Sequence, residues 1–134
     1  MYTISKEFHF SASHVLRNLP GNHPCSRMHG HNYIIVVFLQ SSKLNQAGFV
    51  VDYRDLEPIK KFIDEQMDHR HLNDVFSNSL NIPSEFVGMN PSAENLAKFI
   101  YKRFCKEFPQ LIAVSVKETD KTEAHYEPEF DKDC

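Results

Sequence analysis

A chain of 134 residues, 41% hydrophobic and 25% charged, is sized and composed for one domain with a core of its own. A net charge of −3, histidines neutral, removes any broad electrostatic case for nucleic acid. No apolar run is long enough to span a bilayer and no charged-then-apolar leader is seen, so a cytoplasmic protein without membrane contact is expected.

Tyr2, Ile4, Phe8, Phe10 and Ala12 alternate with polar residues, which predicts a half-buried strand with Lys6 as the one misfit. His14 continues the apolar phase and should point inward, whereas His9 lies in the polar phase and should point outward. His29-Gly-His31 leads into the β-branched and aromatic run Asn32 to Gln40, a second strand. Gly48 to Tyr53 reads as a short third strand. Leu56, Ile59, Ile63 and Met67 fall at helical spacing, with Asp55 as N-cap and Pro58 in the first turn. Asp74 to Asn90 reads as a long loop, a length often tied to function.

A second helix is predicted to start at Ser92, with Leu96, Ile100, Phe104 and Phe108 on its buried face and Pro109 closing it. Leu111 to Thr119 alternates again and puts Val114, Val116 and Glu118 on one face; residues 123–130 give a last strand. Residues 127–134 are polar and expected to form a loose tail on a single domain spanning 1–134. The order strand, strand, helix, helix, strand, strand predicts an α+β fold, a four-stranded antiparallel sheet with two helices on one face. The three cysteines, Cys25, Cys105 and Cys134, are odd in number and far apart, so no disulfide framework is expected. Cys105 reads as a small buried side chain and Cys134 as a tail residue without a role.

The chemistry concentrates in Cys25-Ser-Arg-Met-His29-Gly-His31. On an extended backbone His29 and His31 project from one face, and hairpin pairing would bring His14 to them. Three neutral imidazoles with an open fourth position are the catalytic pattern for zinc. The plainer alternative is that they are polar loop residues. Cys25 is either a fourth ligand, closing a structural site, or a thiol beside the metal whose lowered pKa suits a base; spacing alone leaves both open. Asp68-His69-Arg70-His71 either orients an imidazole for proton transfer or is an exposed helix end. Glu118, on an apolar phase, either meets donors on a flat heterocycle or turns back to solvent. His23 and His125 read as loop and surface residues.

In order along the chain, Phe10-Ser-Ala-Ser-His14, Cys25 to Tyr33, Gly48-Phe-Val-Val-Asp52, Asp68 to Asn73, Asn90-Pro-Ser-Ala-Glu94-Asn95 and Val116-Lys-Glu118-Thr119 resemble the 6-pyruvoyl-tetrahydropterin synthase family. Within it they look most like the carboxy-forming bacterial branch of queuosine biosynthesis, because Cys25 stands four residues before His29. The resemblance implies the tunnelling fold and a zinc ion on His14, His29 and His31. It implies catalysis by Cys25, Asp68 and His69, and a pterin held by Glu118, with Ser92 near it where the family usually has threonine. It further implies a lyase acting on 7,8-dihydroneopterin triphosphate, in a homohexamer with sites between subunits. Two other readings stay open: a pyruvoyl-forming synthase, which would retain the side chain, and a zinc-binding module without catalysis.

Overall fold

The structure is a computed structural model that describes residues 1–78, 80–130 and 134. Two long strands, β1 (Tyr2–His14) and β2 (His29–Ser41), pair antiparallel from Tyr2 opposite Ser41 to His14 opposite His29. The alternation read from β1 holds: Phe8, Phe10, Ala12 and His14 are buried while Glu7, His9 and Tyr2 are exposed. After β2 come α1 (Glu57–Gln66), β3 (Arg70–His71), α2 (Leu72–Val75), α3 (Ala93–Phe104), β4 (Leu111–Thr119) and β5 (Thr122–Tyr126). The sheet order is β3-β1-β2-β4-β5.

The sheet therefore has five strands and is mixed. The additional strand is two residues long and runs parallel to β1, Arg70 beside Ala12 and His71 beside Ser13. His69, just before it, has a left-handed φ of 59°. That turn breaks the helical phase at Met67 and lays the next residues along the edge of β1. Residues 123–130 were expected as strand, but β5 ends at Tyr126. Gly48 to Tyr53 is not a strand either. Asn45 Oδ1 accepts the N–H groups of Ala47 and Phe49, and Asn45 N–H donates to the Phe49 carbonyl, so a closed turn takes up groups a ladder would need. Gly48 sits in it at φ 85°. The helix start shifts with it: Asp52, not Asp55, accepts the Arg54 N–H and caps a 3-10 turn that runs into α1.

The helices cover one face of the sheet. Ile59 and Ile63 of α1 and Leu96, Ala97, Phe99, Ile100 and Phe104 of α3 pack on Phe8, Phe10, Tyr33, Ile35 and Val37. Ser92 N-caps α3, its Oγ accepting the Asn95 N–H, so the helix proper starts at Ala93. The segment read as a long loop contains the end of α2, a 3-10 turn at Ser84–Phe86 and three buried side chains, Phe76, Ile82 and Phe86. The rings of Phe76, Phe86 and Phe99 lie 5.2–5.9 Å apart, which anchors the segment to α3.

Cys105 is buried as expected, but it is disulfide-bonded to Cys134, with Cα atoms 5.8 Å apart. The pairing was hidden because 29 residues separate the two, and only the return of β5 antiparallel to β4 carries the chain back toward the end of α3. The loose-tail expectation for 131–133 falls outside the described residues. A cross-link closing a loop of this size restricts the unfolded chain by about 3–4 kcal/mol. Cys134→Ser should lower the denaturant midpoint of the oxidised protein accordingly, and a reducing agent should do the same to the wild type. Coincident unfolding curves for oxidised and reduced wild type would contradict this.

Candidate functional site

His14 ends β1 and His29 starts β2, and the antiparallel register sets them opposite each other with His31 two residues on. The potential ligand atoms of all three lie within 4.8 Å of one another. His14 Nε2 and His29 Nε2 are 2.9 Å apart. On its other nitrogen His14 faces the Pro91 carbonyl at 2.8 Å, and His29 the Arg27 carbonyl at 2.7 Å. A carbonyl only accepts, so each Nδ1 carries the proton and each Nε2 presents a lone pair to the centre. His31 Nε2 is buried without a hydrogen-bond partner. Converging lone pairs and an orphaned buried nitrogen are costly unless a cation sits among them. The donor set fits a borderline-soft divalent ion of the zinc kind.

Electrostatics agree with the geometry. Burial lowers the His14 imidazole below its ordinary value, more than the Pro91 carbonyl and Glu118 raise it. Burial does the same to His31, again against Glu118. Both rings are thereby kept neutral and ready to ligate. Tyr33 closes the site from below, its hydroxyl 3.3 Å from His14 Nδ1, and burial drives its phenol far above the usual range.

Cys25 is half-buried and free, on a 3-10 turn (Pro24–Ser26) between β1 and β2. Its Sγ does not join the three-imidazole cluster. His23, read as a plain loop residue, holds this turn: its Nδ1 accepts the Cys25 N–H at 3.1 Å. Glu118, near the end of β4, brings Oε2 to 4.0 Å from His31 Nε2 and is only 23% exposed, so it faces the cluster. Ser92 Oγ accepts from Asn95 and can still donate its own O–H.

Asp68 and His69 form a hydrogen-bonded pair, and His69 lines an open groove together with His31. Asp68 Oδ1 accepts the Ser11 N–H at 2.9 Å, and Oδ2 lies 2.9 Å from His69 Nδ1. The pair fixes His69 with Nε2 outward on a ring that is 83% exposed. No hydrogen bond or ion pair joins it to His14, His29 or His31 among the described residues. The Ser11 N–H, and then His69, hold the Asp68 carboxyl below the usual carboxylate range. The folded form therefore releases this proton more readily than the unfolded chain. Its contribution to stability is complete above about pH 3.8 and is lost as pH falls through the folded-state value. Acid unfolding of Asp68→Asn should show a shallower loss than wild type below pH 3.8. Parallel acid limbs would contradict the assignment.

Sequence reasoning missed two asparagine clamps behind His14. Asn73 accepts the Val15 N–H and donates to the Val15 carbonyl, at 2.8 and 2.9 Å. Asn90 does the same to Arg17, at 2.8 Å each. Asn95 Nδ2 in turn donates to the Asn90 carbonyl. The available signal was that both asparagines fall inside the quoted motifs. His125, read as a surface residue, bridges Ser115 Oγ at 2.7 Å and Glu127 Oε1 at 2.9 Å.

A mixed sheet with one-sided helices and a three-imidazole cradle at the open end of its long hairpin defines a small α+β domain with a metal-type site. The chain matches the 6-pyruvoyl tetrahydropterin synthase family profile over residues 3–129. It is 33% identical to a 6-carboxy-5,6,7,8-tetrahydropterin synthase of Haemophilus influenzae, over 87% of this chain and 91% of that one. It is 32% identical to the enzyme of the same name from Synechocystis, over 94% and 93%. The Caenorhabditis elegans 6-pyruvoyl tetrahydropterin synthase structure superposes with a TM-score of 0.77 at 23% identity, covering 95% of each chain, a likeness of fold. The chain belongs to the 6-pyruvoyl tetrahydropterin synthase family, as a lyase-type enzyme with the tunnelling fold. No helix among the described residues is long and apolar enough to cross a membrane.

Proposed function

We propose that the protein converts 7,8-dihydroneopterin triphosphate and water to 6-carboxy-5,6,7,8-tetrahydropterin, acetaldehyde and triphosphate, as a step of queuosine biosynthesis in the cytoplasm. The observation that carries this reading is the three-imidazole cluster that leaves Cys25 out, supported by relatives named for that product. His14, His29 and His31 hold zinc, which when bound supplies Lewis acidity toward the substrate's side-chain oxygens. Cys25, as thiolate, takes a proton from the side chain. His69, held by Asp68 through Nδ1, moves a second proton at Nε2. Glu118 accepts N–H groups of the pterin ring, with Ser92 donating beside it.

Among the described residues no hydrogen bond or ion pair joins Asp68 and His69 to their own chain's cluster, which is compatible with an assembly in which they serve a neighbour's zinc. A homohexamer provides this. The test is product analysis on zinc-loaded protein. Acetaldehyde and triphosphate should appear in equal amounts with the carboxy product. Triphosphate without acetaldehyde would replace this reading by the pyruvoyl-forming one.

A further inference from the structure

Cys25 rides on a turn that contributes no side chain to the core. No residue of Pro24–Ser26 is fully buried, so hydrogen bonds carry much of what fixes the thiol in place. Both main-chain groups of Cys25 are taken. His23 Nδ1 accepts its N–H at 3.1 Å, and its carbonyl accepts the Leu16 N–H at 3.0 Å. The first bond lies within the turn and moves with it. The second crosses the neck of the loop that joins β1 to β2 and ties the turn to the end of β1.

Leu16 is itself held from both sides. β3 ends at His71, where the chain turns into α2, yet its pairing along β1 goes one step further through a side chain. The Asn73 carboxamide accepts the Val15 N–H and donates to the Val15 carbonyl, as a neighbouring strand would. One residue beyond Leu16, Asn90 grips Arg17 in the same two-point way. Asn90 is fixed in turn, its carbonyl accepting from Asn95 Nδ2 in the first turn of α3. A carboxamide offers an acceptor and a donor on one planar group, which is what a two-point grip on a residue's own N–H and C=O requires. With Val15 and Arg17 clamped, the Leu16 N–H between them is aimed at the Cys25 carbonyl.

We propose that Asn73 and Asn90 are positioning residues for the Cys25 thiol, acting through Leu16. The proposal rests on the reading of Cys25 as the group that takes a proton. It adds that α2 and the segment before α3 set where that group stands relative to the three imidazoles. A misplacement of about 1 Å at a reacting group can cost about 10²-fold in rate, so a loose neck is enough to matter.

The test uses Asn73→Asp and Asn90→Asp in the zinc-loaded, oxidised full chain. Aspartate keeps the shape and the acceptor and loses only the N–H donors, so the fold is disturbed least. Cys105 and Cys134 are bonded to each other, so alkylation by iodoacetamide reports on Cys25 alone. Each variant should alkylate at least about threefold faster than wild type, because the half-buried sulfur is released to solvent. Its kcat should fall at least about tenfold, with KM and zinc content unchanged. In a Cys25→Ala background the same substitutions should cost nothing further, since no thiol is left to misplace. Asn78→Asp, the same exchange on an exposed turn, should alter none of these readings. A smaller rise in alkylation, a raised KM with kcat intact, a loss of zinc, or the same fall in kcat without the thiol would overturn the proposal. Faster alkylation of both variants in a protein that makes no pterin product would retain the positioning and reject the reaction. Full product formation by wild type, with both variants alkylating at its rate, would retain the reaction and reject the positioning.

Discussion

Cys25→Ala should keep its zinc and lose its turnover. The thiol stands outside the set of nitrogen atoms that converge on the cation position, so removing it takes away no ligand. A base acting on a reacting proton is worth about 10²–10⁴ in rate, and the fall in kcat should lie in that range. Zinc content by elemental analysis and kcat on the same preparation decide the matter. If zinc and activity fall together, Cys25 is a ligand and the module without catalysis gains the argument. Cys25→Ser separates the cases further, because a hydroxyl at that position ionises too weakly at neutral pH to serve as the thiolate does.

His31→Ala should do the reverse and lose the metal first. His31 Nε2 is the buried nitrogen without a partner, and it is the ligand whose ring is set by strand geometry alone. Even disturbing the groups behind a metal ligand costs 10–100-fold in affinity, so loss of a ligand should exceed about 100-fold. The change also relieves a polar atom buried without a bond, so the metal-free variant should be no less stable than metal-free wild type by more than the lost packing. Zinc competition with a chelator and thermal unfolding with and without metal measure both effects. Unaltered zinc affinity would remove His31 from the ligand set.

The cradle was legible because it depends on strand phase. Once Phe8, Phe10 and Ala12 define the inward side of β1, His14 must follow them, and the hairpin register delivers His29 and His31 to it. The tunnelling-fold order was legible for the same reason, since the long elements have strong periods. What escaped was short or remote. β3 is two residues long and follows a left-handed His69, so it has no period to detect. Gly48 to Tyr53 has strand-like composition, and only the side chain of Asn45 explains why it closes into a turn. Cys105 and Cys134 meet because β5 returns antiparallel to β4 toward the end of α3, which spacing cannot reveal. The roles proposed for Cys25, Asp68 and Glu118 come from the ordered motifs, because each residue taken alone has a structural explanation at least as good.

The two asparagine clamps have a consequence for how the chain acquires its metal. They tie Val15 and Arg17 to residues 58 and 73 positions away, and the Pro91 carbonyl that sets the His14 tautomer is 77 positions away. A growing chain that has made only its first hairpin holds all three histidines but lacks the Pro91 carbonyl that orients His14. Selective loading must wait until α2 and the start of α3 have docked. Binding of the proposed zinc is then coupled to completion of the fold, and a zinc excess of 100 times the dissociation constant would deepen the native well by about 2.7 kcal/mol. Scarcity of zinc would be felt as a shortage of folded protein as well as of active sites.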